Sequence, residues 1–224
     1  MQHEITQAIP LLDEQGELTQ PGWARRLLPV YDRSRVRGGP LRLKERDCYL
    51  VMNRQCALAL TISDNRYMGM DSISLIDLWE GWQVTRSPMR LMPLGGTGLP
   101  QSSLRGSCAR AGRGYGLLFQ HEGEGRTLHA HMDRFRDGQA LDAQILLTQE
   151  PEESIVMCTP FEKPGQFYFN QKINCMRAQG KVTLGDREYV FDPEDSFAVL
   201  DWGRGVWTCR GTWYWGSASG MVDG

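Results

Sequence analysis

Two hairpin turns that agree on one buried face constrain this chain more than any other feature of its sequence. The stretch from Tyr115 to Phe135 folds back across Glu122-Gly123-Glu124-Gly125. Closure there sets Phe119 against Leu128, Leu117 against Ala130 and Tyr115 against Met132. The next turn, Asp137-Gly138, has the composition that two-residue hairpin loops favour, because both central positions take positive φ. It sets Met132 against Ala143, Ala130 against Ile145 and Leu128 against Leu147. Side chains alternate across a strand with period two, so a one-residue slip would turn every one of these residues outward. Two independent turns that choose the same apolar face predict a three-stranded antiparallel meander over 115–147.

The remaining signals are of the same kind. Leu58, Leu60 and Ile62 alternate with Ala57, Ala59, Thr61 and Ser63, and Ser63-Asp64-Asn65 marks a turn. Ile73 to Trp79 is an apolar run, and Glu80-Gly81 reads as a two-residue hairpin loop into Trp82-Gln83-Val84. Gly185-Asp186 predicts a hairpin that pairs Val182 with Tyr189. Residues 92–114 are rich in Gly and Ser and read as a long loop with an irregular strand; no helix follows to make them a phosphate cradle. Asp192-Pro193-Glu194-Asp195 fits a turn into a strand at 196–202, and equally a helix capped by Asp192 and stopped by Gly203. No amphipathic helical pattern exceeds ten residues. The expected fold is all-β: an antiparallel barrel or sandwich of hairpins with few short helices. Residues 1–46 read as an irregular segment packed on the sheet, and 47–224 as the antiparallel β domain. Val222-Asp223-Gly224 resembles the opening of one more hairpin, and a sheet that stops on an unanswered turn exposes an edge. The expectation is a missing C-terminal β portion and self-association through that edge.

Composition narrows what such a domain binds. A chain of 224 residues hides about 70% of the surface its unfolded form exposes. A net charge of −2 and a pI near 6.1 give no general pull toward nucleic acid or an anionic membrane. Arg33, Arg35, Arg37, Arg42, Lys44 and Arg46 form a basic run, but Asp32, Glu45 and Asp47 dilute it, and it reads as a solvated segment. The six cysteines (Cys48, Cys56, Cys108, Cys158, Cys175 and Cys209) include no Cys-x-x-Cys pair and match no zinc spacing. Several fall in strand-like runs, where free Cys acts as a small core residue. The N-terminus, MQHEITQAIP, has neither the basic start nor the apolar stretch of a secretory signal, and no run reaches the ~18 apolar residues of a membrane span. The expectation is a reduced, cytoplasmic protein with no cofactor, no nucleic-acid partner and no membrane span.

Candidate chemistry gathers in Phe197 to Gly220, FAVLDWGRGVWTCRGTWYWGSASG. This stretch holds Trp202, Trp207, Trp213, Tyr214 and Trp215 with Asp201, Arg204 and Arg210. From Val206 on, Trp207, Cys209, Trp213 and Trp215 share one parity, which predicts a strand with one packed face. The indoles fit a packed core, since Trp buries a large area. They also fit a cavity in which Trp202, Arg204, Trp207, Trp213, Tyr214 and Trp215 hold a mostly apolar ligand. In such a cavity Asp201, shielded by apolar walls, is the candidate catalytic acid unless Arg204 pairs with it. The Asp201-x-x-Arg204 spacing is also compatible with a structural ion pair. His129, His131 and Asp133 share one strand face, with Asp142 and Gln144 opposite, and are a second candidate, for a metal; an ordinary exposed sheet face is the competing reading. His121, at a hairpin tip opposite Arg126, reads as a polar turn residue, with a catalytic base as the alternative. No serine-nucleophile, Cys–His or phosphate-loop motif is present.

LGDREYVFDPEDSFAVLDWGRGVW (184–207), TWYWGSASG (212–220), KINCM (172–176) and PLLDEQGEL (10–18) resemble the bacterial family known as domain of unknown function 2804, over nearly the whole chain. That family has no established activity, so the resemblance implies no catalytic assignment. Its members continue into further β-structure, which implies that this chain is shortened at its C-terminus. More remotely, Asp201-Trp202-Gly203 followed by Trp213-Tyr214-Trp215 is similar to the lipocalin-like (calycin-type) carotenoid hydratases and related cyclases. Their motif is Asp-His-x-Trp-Gly, and its His has no counterpart here. The likeness implies an antiparallel barrel around an apolar ligand. The functional expectation is therefore a lipid- or isoprenoid-like molecule bound in a Trp-lined β cavity. The alternatives are a cofactor-free hydratase, isomerase or cyclase, with Asp201 as general acid and indoles steadying a carbocation, and a structural scaffold with no ligand.

Overall fold

The computed structural model describes residues 3–208, 210–212 and 214–222. Cys209, Trp213 and the Asp223-Gly224 half of the terminal turn lie outside the described residues. The N-terminal part carries three short strands, β1 (Ile9–Pro10), β2 (Gly22–Ala24) and β3 (Pro29–Val30), and a 3-10 turn over Arg33–Arg35. Asp32 caps that turn by accepting from the Ser34 N–H at 2.9 Å. Ile5, Leu11, Leu12 and Tyr31 fasten the segment into the common core.

The strands that follow are longer: β4 (Lys44–Met52), β5 (Cys56–Asp64), β6 (Met68–Asp77), β7 (Trp82–Arg86), β8 (Met89–Leu91), β9 (Gly106–Gly112), β10 (Tyr115–His121), β11 (Arg126–Arg136), β12 (Gln139–Thr148), β13 (Ile155–Pro160), β14 (Phe167–Leu184), β15 (Arg187–Phe191) and β16 (Phe197–Val206). They form one antiparallel sheet in the order β7-β6-β5-β4-β16-β14-β12-β11-β10-β9, so the all-β expectation holds. β14 is shared along its length. Its first half pairs with β13 and β16, and its second half with β12 and β15. A register shift between Ile173 and Met176, with Cys175 at φ 60°, is the bulge that bends it. At Gly180 a Cβ would stand 2.0 Å from the Gln144 carbonyl oxygen, so only a bare backbone fits against β12.

The sheet curls until Tyr49 on β4 meets Phe119 on β10 edge-on at 5.0 Å, and Arg86 Nε donates to the Phe135 carbonyl at 2.8 Å. The strand order nevertheless has two ends, β7 and β9, so the described residues curl without closing a barrel. β16 lies in the middle of the sheet, between β4 and β14, and the ends of the main strand path belong to β7 and β9.

The meander forms with its first register as expected: Tyr115 faces Met132, Leu117 faces Ala130, and Phe119 faces Leu128. The second hairpin pairs with residues two positions nearer the turn, Met132 with Leu141, Ala130 with Ala143 and Leu128 with Ile145. A bulge between Met132 and Arg136 absorbs the difference, and Asp137-Gly138 remains the turn at φ 50° and 80°. Two residues make one full side-chain period, so the same faces stay buried. Val182 pairs with Tyr189 as expected.

The loop before β7 spans Leu78–Gly81 instead of two residues, because Asp77 pairs with Trp82. The Asp77 carboxylate organises that loop by accepting from the Trp79 and Glu80 N–H groups at 3.0 and 2.8 Å. Of the two readings at Asp192, the turn into a strand is realised, with the Asp192 carbonyl accepting from Asp195 and Ser196. The strand expected from Val206 onward is absent among the described residues. Val206 is paired with Phe167, the first residue of β14, and Gly205 with Lys44, the first of β4. Beyond them the ladder has no partners, and alternation alone makes no strand. No helix among the described residues is long and apolar enough to cross a membrane.

Candidate functional site

The parity of β16 sorts its motif onto two faces. Leu200, Trp202, Arg204 and Val206 point into the curl, and Trp202 is 1% exposed. Its indole packs edge-on against Phe169 at 5.3 Å and Tyr31 at 6.5 Å. The Arg204 guanidinium, 0% exposed, stacks over Trp202 at 4.2 Å. It donates to Asp47 at 2.8 Å and to the carbonyls of Arg46, Gly203 and Pro100 at 2.7–3.0 Å. Glu45 lies 3.6 Å from Arg204 Nε and also receives the Tyr31 hydroxyl at 3.1 Å and Arg33 at 3.0 Å. Burial, followed by the Glu45 charge, pushes the Tyr31 phenol well above its ordinary range. The space left on this inner face, between Asp47, Tyr49, His121, Arg126 and Trp202, is a cavity of about 20 Å³, room for one water. Among the described residues, that space beside Trp202 is too small for a ligand.

Asp201, Gly203 and Gly205 take the other face. Asp201 sits opposite Lys172 in the ladder, and Lys172 Nζ contacts its Oδ1. Arg46 Nη2, from β4, donates to Oδ2 at 2.5 Å. The ion pair between Asp201 and Arg204 does not form, because residues three apart on a strand face opposite ways. A Cβ at Gly203 would meet the Tyr168 ring at 3.1 Å. One at Gly205 would stand 2.3 Å from the Phe167 carbonyl and 3.1 Å from the Trp207 indole nitrogen. The two glycines thus admit Tyr168 and Trp207, whose rings meet edge-to-face at 5.2 Å beneath Lys44. Burial lowers the Lys172 pKa, with Asp201 opposing it. Burial also raises the Cys48 and Tyr168 groups, so neither carries charge near neutrality. For Arg46 burial acts against the charge, but Asp201 and its neighbours outweigh it and raise the pKa.

Above this triad lies a cleft of about 340 Å³. Met157 and Thr159 on β13, then Phe161, Tyr168, Tyr214 and Trp215, wall it; Arg46, Lys172 and Asp201 form its polar part. Trp215 is half-exposed at 47%, with Lys172 Nζ 6.0 Å from its ring, and Tyr214 stands at the mouth at 95%. The structure therefore brings Asp201, Tyr214 and Trp215 together, with Trp207 next to them across Tyr168. It puts Trp202 and Arg204 behind the sheet, and Trp213 lies outside the described residues. Sequence reasoning missed Arg46, taken for part of a solvated basic run, and Lys172, Tyr168 and Met157. The available signal was the alternation of Tyr168 and Lys172 with Phe167, Phe169 and Gln171, which marks them as facing away from the core.

The second candidate behaves differently. His131 Nδ1 meets Asp142 at 2.7 Å and Nε2 meets Asp133 at 2.8 Å. Ionised carboxylates only accept, so both contacts are hydrogen bonds at once only when the ring is protonated. The Asp133 bond, then the Asp142 bond, raises its pKa. His129 faces Gln144 across the ladder. Among the described residues no group of three or more His, Cys, Asp or Glu side chains is arranged to hold a metal ion.

The family described as a domain of unknown function (DUF2804) matches residues 2–224. A crystal structure of a protein provisionally assigned as AttH, from Nitrosomonas europaea, is similar at 9% identity and a TM-score of 0.46, over 80% of this chain and 56% of that one. The chain thus spans just over half the length of that structure. No curated protein matches it.

Proposed function

The chain belongs to the family described as a domain of unknown function, DUF2804, and from its own cleft we propose that it binds a hydrophobic small molecule. The observation that carries this reading is the convergence of Met157, Phe161, Tyr168, Tyr214 and Trp215 on a space of about 340 Å³. Small-molecule sites are concave, mostly apolar and furnished with a few fixed polar groups, in volumes of about 300–1,000 Å³. Here Arg46, Lys172 and Asp201 supply those groups. Trp215 and Tyr214 are the ligand-binding residues of the Trp-rich stretch, with Trp207 as a supporting wall behind Tyr168. Trp202 and Arg204 contribute by holding β16 in place.

In this reading Asp201 anchors two cations. Its Oδ1 and Oδ2 are each taken by one of them, which speaks against its serving as the proton donor of a hydratase, isomerase or cyclase. The test is a titration with the neutral fluorophore N-phenyl-1-naphthylamine, alongside native mass spectrometry of protein purified from its host. Saturable fluorescence enhancement that weakens several-fold in Trp215→Ala supports the proposal. Absence of saturable binding in the wild-type chain overturns it.

A further inference from the structure

The charges in this cleft do not balance. Its charged groups are the Arg46 guanidinium, the Lys172 ammonium, whose charge burial opposes and Asp201 supports, and the single Asp201 carboxylate, which bridges both. The other groups beside these cations, Cys48 and Tyr168, are held neutral by burial. No second carboxylate lies in contact with Arg46 or Lys172 among the described residues. One positive charge is therefore left over at a place where the side chains of Arg46 and Lys172 are 29% and 12% exposed. An uncompensated charge held out of water is costly, and proteins retain one where something else neutralises it.

Resting on the apolar-ligand reading above, we infer that the occupant is an amphipathic monocarboxylate, its head group meeting Lys172 and Arg46 and its tail lying against Met157, Phe161 and Trp215. One surplus cation matches one carboxylate and leaves a doubly charged phosphate head overcompensated. The volume fits as well: at roughly 30 Å³ per water-sized group, about 340 Å³ takes on the order of eleven heavy atoms. That is the size of a medium-chain fatty acid or a short isoprenoid acid. A Lys donor and an Arg fork converging on one carboxylate make charge-assisted hydrogen bonds, which are stronger than neutral ones.

The experiment compares decanoate with decan-1-ol, two probes of one tail length that differ in head charge, by tryptophan-fluorescence titration of the full chain. Decanoate binding about tenfold or more tighter than the alcohol is the expected result. Lys172→Met balances the cleft, with Arg46 against Asp201, and brings the two affinities together. Asp201→Asn doubles the surplus and moves the preference the other way, further toward decanoate. Equal affinities for both probes in the wild-type chain overturn the head-group inference and leave the apolar cleft standing. Binding of neither probe overturns both. The wild-type comparison needs no variant, so a substitution that impairs folding does not remove the test.

Discussion

Replacing Arg204 with Met tests the assignment of β16 to two faces. The guanidinium is fully buried, and methionine keeps much of its length while deleting the charge and four hydrogen bonds. What it leaves behind matters more than what it removes. Asp47, 7% exposed, has no other cation in contact among the described residues, and Glu45 keeps Arg33 and Arg66. Taking one partner from a buried ion pair costs about 3–5 kcal/mol, because the other charge stays buried and unpaired. In a domain of this size 1 kcal/mol moves Tm by about 2–4 °C, so Arg204→Met lowers Tm by roughly 6–20 °C. Urea unfolding followed by tryptophan fluorescence and by circular dichroism gives the free energy. Lys181→Met is the control, since it removes the same kind of charge from an exposed strand pair with Glu188 at 2.5 Å. Such pairs contribute about 0–1 kcal/mol, so its Tm shifts by only a few degrees. A loss below about 1 kcal/mol in Arg204→Met, comparable to the control, would refute the buried network and with it the inward direction of the even-numbered residues.

Three further outcomes follow from local geometry. Gly205→Ala drives a Cβ to within 2.3 Å of the Phe167 carbonyl, so it destabilises by about 1–3 kcal/mol and loosens Trp207, seen as a red-shifted emission spectrum. His131 has its folded pKa raised, first by Asp133 and then by Asp142, so its stabilising effect is complete below the ordinary value near 6.5 and fades as pH rises through the raised one. Exposure keeps that effect under about 1 kcal/mol, and melting curves of His131→Gln against wild type show a gap at pH 5.5 that closes by pH 9. Burial pushes the Cys56, Cys108 and Cys158 thiols up to about 12, so a thiol reagent leaves all three unmodified in the native protein and titrates them on denaturation, whereas exposed Cys175 reacts at once.

The parts of the fold legible in the sequence are those fixed by short-range turns. Glu122–Gly125, Asp137-Gly138 and Gly185-Asp186 each set a hairpin, and the faces of β10, β11, β12 and β15 follow from them. The bulge after Met132 is marked locally only by a break in the alternation, two polar residues (Asp133 and Arg134) before buried Phe135, and a register counted from the turn alone passes over it, so the second register was displaced by one period. The Trp-rich tail misled for a related reason: alternation reports what a strand needs, and partners further along the chain decide whether it forms. The cleft is assembled from β4, β13, β14 and β16, and Arg46 reaches Asp201 across 155 residues of sequence. Asp201 itself was legible as an acid beside indoles, but its cations were not, because their approach depends on the order in which distant strands join the sheet.

From Asp201 to Val206 two instructions are threaded through one short ribbon, one read from above the sheet and the other from below. A deletion of one residue just upstream would interchange them: a carboxylate would arrive among Phe169 and Tyr31, and an indole would land on Lys172. Length changes in this strand are therefore forbidden even where individual replacements are tolerated. On the proposed ligand reading, diversity in the occupant has to come from residues 201, 203 and 205 and from the tail that lies over them, while 202 and 204 stay constant.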